Sequence, residues 1–253
     1  MSATPLIVSI DGPSASGKST IVARAAASLG WVALAEAFDR IEPAPDLRFS
    51  SERGLASLER TLLEEDGRRW EVAQSLRAKG LTVVADTGFL GPLTYTAGLV
   101  ARRLAPPRVR RNLVAYARTL AGRAAWGMPD VVVYVASTAS LRRARAAADR
   151  GRHPADLGRR HEAVGRWEER FYRDALQRAF PDRRVIVPGE PPVDEIVREI
   201  RRRVRRIRPL DDPERTSLRV LELFDPGAGR TPREARSSAT VKKPTRPDRP
   251  PRA

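Results

Sequence analysis

The run Gly12-Pro13-Ser14-Ala15-Ser16-Gly17-Lys18-Ser19 spaces two glycines, a lysine and a hydroxyl as G-x-x-x-x-G-K-[ST], with Thr20 following. That spacing suits a cradle for the phosphates of a nucleoside triphosphate. Glycines let backbone amides approach the anion closely, and the amides opening the next helix present partial positive charge. In such a loop Lys18 neutralises the β- and γ-phosphates and the Ser19 hydroxyl ligates Mg²⁺. The lysine is informative. Only Lys18, Lys79, Lys242 and Lys243 are lysines, and the other 43 of 47 basic residues are arginine. A compact ammonium reaches between phosphates where a planar guanidinium fits less well.

Phosphoryl transfer needs positioning and charge neutralisation, and an acceptor hydroxyl also benefits from a carboxylate that takes its proton. In open α/β sheets ligands bind at the carboxyl ends of the strands. Two acids stand there: Glu36 after the apolar run Trp31–Ala35, and Asp86 at the end of Leu81–Asp86. Both are candidates for metal or base work, with a solvated loop carboxylate as the plain alternative. Asp11, beside the glycine loop, reads as structural. The run Asp130–Ala136 offers no acid at its end.

Strands and helices alternate along the chain. The apolar run Leu6–Ile10 precedes the glycine loop, and a helix is predicted from about Lys18 to Leu29. Helical spacing returns over about Ser50–Ala78, Arg108–Ala125 and Val193–Ile207. Thr138 caps an arginine-rich helix ending at Gly151, and Arg184–Val187 reads as a fifth strand. This alternation argues for an α/β fold with a parallel sheet covered on both faces. Trp167, Phe171 and Tyr172 read as core at helical spacing, whereas Phe89 and Tyr95 are candidates to line an acceptor pocket. Two histidines, His153 and His161, do not make a zinc site without further ligands.

The chain has 253 residues, 41% of them apolar, and no cysteine. Disulfides and thiolate chemistry are thereby excluded, and a cytoplasmic setting fits. No apolar run is long enough for a signal peptide or a membrane span. The formal charge of +16 invites a polyanion reading. Seven arginines between Arg198 and Arg208 and a basic tail could attract a polyanion weakly and without sequence preference. Residues 226–253 are rich in Pro, Gly, Ser, Thr and Arg, and read as a disordered basic tail.

The loop "IDGPSASGKST" resembles that of cytidylate and uridine kinases, and the wider chain resembles the P-loop nucleoside and nucleotide kinases. "LRAKGLTVVADTGF" is similar to the thymidylate kinase segment whose strand ends in Asp-Arg, and "MPDVVVYVASTASLRRARAAADRGR" to the family's fourth strand and arginine-rich lid. "RVIVPGEPPVDEIVREI" resembles the final strand and helix. The resemblance implies a five-stranded parallel sheet in the order 2-3-1-4-5, with a kinase domain over residues 1–207 and a lid at about 138–160. Residues 208–225 would be a linker or a docked short element.

On this resemblance the chain transfers the γ-phosphate of Mg-ATP to a nucleoside or nucleoside monophosphate. ATP sits on residues 12–20 with Arg143, and Mg²⁺ on Ser19 and Asp86. Lys18, Asp86, Glu36, Arg150 and Arg152 are the catalytic candidates, the last two as the lid pair of "DRGR". Glu36 matches the position of the deoxynucleoside kinase general base. Relatives are often homodimers. One departure matters: Thr87 stands where the family has arginine, with Arg40, Arg48, Arg53 and Arg69 as candidate substitutes. Two rival readings follow. One is the same machinery acting on another small-molecule hydroxyl or a polynucleotide end; the other is a nucleotide-binding regulatory protein without transfer activity.

Overall fold

The structure, a computed structural model, describes residues 4–43, 51–148, 155–180, 185–186 and 191–224. Arg48, Arg150, Arg152 and residues 226–253 therefore lie outside the described residues. Four parallel strands of three to five residues form the body of the sheet: β1 (Ile7–Asp11), β2 (Val32–Leu34), β3 (Val83–Asp86) and β4 (Val131–Tyr134). A fifth, β5 (Val185–Ile186), is only two residues long in the described part and completes the order β2-β3-β1-β4-β5. Register places Ile10 beside Asp86 and Asp11 beside Tyr134, so the ends of β1, β3 and β4 open at one edge.

The central strands carry apolar residues on both sides because helices cover both faces. On one face α1 (Lys18–Leu29) packs against α8 (Val193–Val204), burying Ile21, Val22 and Ala25 with Ile196, Val197 and Ile200. On the other lie α2 (Glu52–Ala78), α3 (Gly91–Ala101) and α4 (Pro107–Ala121), around Trp70, Phe89, Leu93 and Leu113. Ser51 caps α2 by accepting from the Gly54 amide at 3.1 Å.

Helix α3 was not expected from the sequence. It buries residues all round, so no amphipathic stripe announces it, and it starts on Gly91-Pro92, which reads as a turn. Gly98 lets it approach the next layer: a Cβ there would run into Val164. The segment expected to form a lid contains α5 (Ala139–Ala148) and α6 (Ala155–Arg170). From α6 the chain passes through a π-helical stretch, Phe171–Leu176, into the short α7 (Gln177–Ala179).

Residues 213–222 form α9 (Pro213–Glu222), which docks Val220, Leu221 and Phe224 into the core. Its buried Ser217 hydroxyl accepts from the Met128 amide at 2.9 Å and donates to the Pro213 carbonyl at 2.6 Å. Asp130, buried before β4, accepts from the amides of Ile7 (2.8 Å) and Leu210 (2.7 Å) and pairs with Arg77 at 3.3 Å. The carboxylate thus ties β1, α2 and the segment leading to α9 together. Among the described residues no helix is long and apolar enough to cross a membrane.

Candidate active site

β1 delivers the chain into a loop that only particular residues can form. Gly12 has φ +145°, and a Cβ there would lie 2.7 Å from the Val135 carbonyl oxygen. Gly17, also at positive φ (+96°), turns the chain directly into α1. Ala15 sits in the left-handed region at φ 59°, strain of the kind held at ligand-binding loops. The first turn of α1 has neither a side-chain cap nor an acid, so its amides remain open to an anion. Lys18 folds over the loop, its Nζ 3.2 Å from the Pro13 carbonyl, while Ser19 and Thr20 are exposed. Pro13, Ser14 and Ser16 line the same cavity.

Helix α5 approaches this loop through one described arginine. Arg145 Nη1 donates to the Ser16 carbonyl at 2.6 Å and also lies against Gly17. Arg143, assigned to the donor from sequence, instead pairs with Glu162 at 3.0 Å and is largely exposed. The two are two residues apart on α5, so they point to different sides of the helix.

Beyond the loop a cavity of about 640 Å³ runs between the sheet edge, α2, α3, α5 and α6. Its walls include five carboxylates, Asp11, Glu36, Glu59, Asp66 and Glu168, against two described cations, Lys18 and Arg145. Tyr95 lines it as expected from the sequence. Phe89 does not; it is fully buried and packs edge-on against Trp70 at 5.4 Å.

Asp11 is a buried hub. Its carboxylate accepts from Ser9 Oγ (2.7 Å), the Gly88 amide (3.0 Å) and Tyr172 Oη (3.1 Å). Burial pushes its carboxyl above the usual range, against those hydrogen bonds and the nearby Lys18 charge. Tyr172 stacks on Tyr134 at 4.5 Å, and the π-helical stretch that carries it sets its aim. Burial also raises the phenol of Tyr172, so it is the donor in this pair.

Asp86 ends β3 as expected, yet it is not in the cavity wall, and its buried Oδ1 has no hydrogen-bond partner among the described residues. Thr87 follows in the left-handed region at φ 53°, costly for a β-branched residue, and does line the cavity. Arg69 explains how this turn is held. It is fully buried, pairs with Asp66 at 2.5 Å, and donates Nη2 to the carbonyls of Asp86 (2.6 Å) and Thr87 (2.9 Å). So the guanidinium missing at position 87 is supplied to the turn from α2, where it grips backbone. Of the other candidates, Arg40 pairs with Glu65 at 2.6 Å and Arg53 is exposed.

Sequence reasoning missed Glu59, Asp66 and Glu168. Burial raises Asp66 to about 7 despite the Arg69 charge, and Glu168 to about 7 despite Lys18 and Arg142. Glu59 is pushed well above the ordinary range by burial, with Asp66 and Glu168 adding to the effect. One signal was available: Glu59 and Asp66 fall four residues after Leu55 and Leu62, inside the apolar stripe of α2.

Among the described residues no group of three or more His, Cys, Asp or Glu side chains is arranged to hold a metal. Mg²⁺ needs less than that, usually one or two carboxylates plus substrate phosphates and water. The exposed Ser19 hydroxyl in the cavity wall and the orphaned Asp86 Oδ1, buried outside it, are hard oxygen donors of the kind such an ion takes.

No family model matches the chain. No curated protein matches it either. Solved structures do. The fold is that of the P-loop nucleoside and nucleotide kinases. The chain is similar to deoxyadenosine kinase from M. mycoides with bound dATP, at TM-score 0.61 and 15% identity, covering 78% of this chain and 98% of that one. The same enzyme with bound dCTP gives TM-score 0.52 and 18% identity over 79% and 100% of the two chains. Thymidylate kinase from Candida albicans gives TM-score 0.53 and 13% identity over 80% and 92%.

Proposed function

We propose that this chain is an ATP-dependent phosphotransferase whose acceptor is a nucleoside or a related small molecule with a free hydroxyl. The observation that supports it most is the continuity of the site. One cavity joins the phosphate loop, with Lys18 and Arg145, to a carboxylate-lined acceptor end containing Glu36. A structural neighbour, a deoxyadenosine kinase, agrees with that reading.

In the proposed reaction the acceptor hydroxyl oxygen attacks the γ-phosphorus of ATP. The bond from that phosphorus to the β–γ bridging oxygen breaks, and ADP leaves. The hydroxyl proton passes to the Glu36 carboxylate, which lines the cavity after β2. The amides of Gly12 and residues 14–19 and the Lys18 ammonium bind the β- and γ-phosphates, and Arg145 closes on the loop from α5. Ser19 and Asp86 would hold Mg²⁺, which supplies charge neutralisation on the phosphate oxygens. Arg150 and Arg152 keep their proposed place as lid arginines.

A panel of nucleosides, nucleoside monophosphates, sugars and aminoglycosides tests this by acceptor-stimulated ADP release from Mg-ATP, with Lys18→Ala as control. Mass spectrometry should show the acceptor gaining one phosphoryl group. A second reading, a nucleotide-binding regulator without transfer, is favoured by Thr87 and by the commitment of Arg69 to backbone carbonyls. Tight ATP binding with no stimulated turnover across the panel would select it.

A further inference from the structure

The proposed reaction leaves Glu59 without a role. It lies on α2 with only 2% of its surface exposed, and it forms part of the cavity wall. Among the described residues it has no ion pair and no hydrogen-bond donor. The charged neighbours that act on it, Asp66 and Glu168, are both acidic and both disfavour its ionised form. A buried carboxyl without a partner costs stability and is uncommon unless a ligand completes it.

The rest of this end of the cavity has the same sign. Glu36 and Asp66 share the wall with Glu59. Of the nearby cations, Arg69 is committed to Asp66 and to the carbonyls at 86 and 87 and Arg40 to Glu65, while Lys18 and Arg142 act on Glu168. A phosphate beside Glu59 would meet a carboxyl on which only acidic groups act, with no cation among them. A group that donates N–H hydrogen bonds would supply what Glu59 lacks.

On the reading above, we infer that the acceptor carries no phosphate and presents an amino group to Glu59. Two sources offer that chemistry, the exocyclic amine of a nucleobase and the ammonium of an amino sugar. Glu59 is then a specificity residue, and it acts without touching the transferred phosphoryl group.

Calorimetric binding to the full chain tests this without requiring turnover. The probes are deoxyadenosine and deoxycytidine, their deaminated counterparts deoxyinosine and deoxyuridine, kanamycin, and dAMP. Wild type is compared with Glu59→Gln and Glu59→Leu, each checked for a wild-type circular dichroism spectrum. The expected result is an amine-bearing, unphosphorylated ligand whose deaminated counterpart binds at least about 10-fold more weakly, a gap that closes in Glu59→Leu.

Binding of the nucleosides assigns the amine to a base. Binding of kanamycin, lost in Glu59→Gln, assigns it to an ammonium. Tighter binding of dAMP than of deoxyadenosine would overturn the inference. So would equal binding of the deaminated partners, an unchanged pattern in Glu59→Leu, or no binding of any amine-bearing probe. If amine binding stands and no acceptor stimulates ADP release, the kinase reading alone fails.

Discussion

Arg145 crosses from α5 to the glycine loop and places its Nη1 2.6 Å from the Ser16 carbonyl oxygen. The contact joins α5 to the glycine loop. A guanidinium so placed can exchange a carbonyl for phosphate oxygens by a small rotation of its side chain. Arg145→Ala should lower kcat by about 10³-fold or more, the scale of a lost charge-stabilising arginine. Arg143→Ala, which only breaks a surface pair with Glu162, should change kcat by less than about 2-fold. Steady-state kinetics on the two variants side by side checks this.

The Asp11–Tyr172 hydrogen bond ties the end of β1 to the π-helical stretch. Tyr172→Phe keeps the stack on Tyr134 and removes one donor from a buried carboxylate. The expected loss is about 1–3 kcal/mol, or roughly 3–10 °C in Tm for a domain of this size. Thermal melts measure it directly.

Gly88 lies so close to Asp11 that a Cβ there would collide with both carboxylate oxygens. Gly88→Ala should therefore displace the Asp86-Thr87 turn as well as destabilise the fold. The expected signature is a lower Tm together with weaker Mg-ATP turnover, whereas Gly80→Ala, whose Cβ meets nothing, should leave turnover unchanged.

The buried acids set a pH signature. Glu59 is raised well above its ordinary value and Asp66 and Glu168 to about 7, whereas in the unfolded chain such groups ionise near 4. Between about pH 4 and pH 7 the folded state binds more of their protons than the unfolded state does. Their contribution is fully present below about pH 4 and is lost as pH rises through the folded values. Carboxylates held low by arginines, such as Glu65 and Glu199, act in the opposite sense. The clean readout is a difference: Glu59→Gln should gain Tm relative to wild type as pH rises from about 4.5 to about 7.5. A constant gap would contradict the assignment.

Much of this arrangement was legible in the sequence, for reasons that differ along the chain. The glycine loop is eight consecutive residues between an apolar strand and a helix, so local pattern alone places it. The sheet order came from resemblance, not from any residue pattern. Helix α3 escaped because burial all round erases periodicity. Glu59 and Asp66 escaped because acids are read as solvent-facing, although their spacing puts them on the apolar stripe of α2. The choice of Arg145 over Arg143 depends on helix phase, and neighbours two apart point roughly 200° from each other. Arg69 serves a turn seventeen residues away, a pairing that only the packed structure reveals.

The central claim is transfer of the γ-phosphoryl group to an unphosphorylated hydroxyl acceptor. γ-labelled ATP with Mg²⁺ and the nucleoside panel, separated to resolve labelled product, tests it most directly. Label moving onto a nucleoside in wild type, and absent in Lys18→Ala, is the predicted result. Label remaining on ATP or released only as inorganic phosphate, with ATP bound, would contradict it.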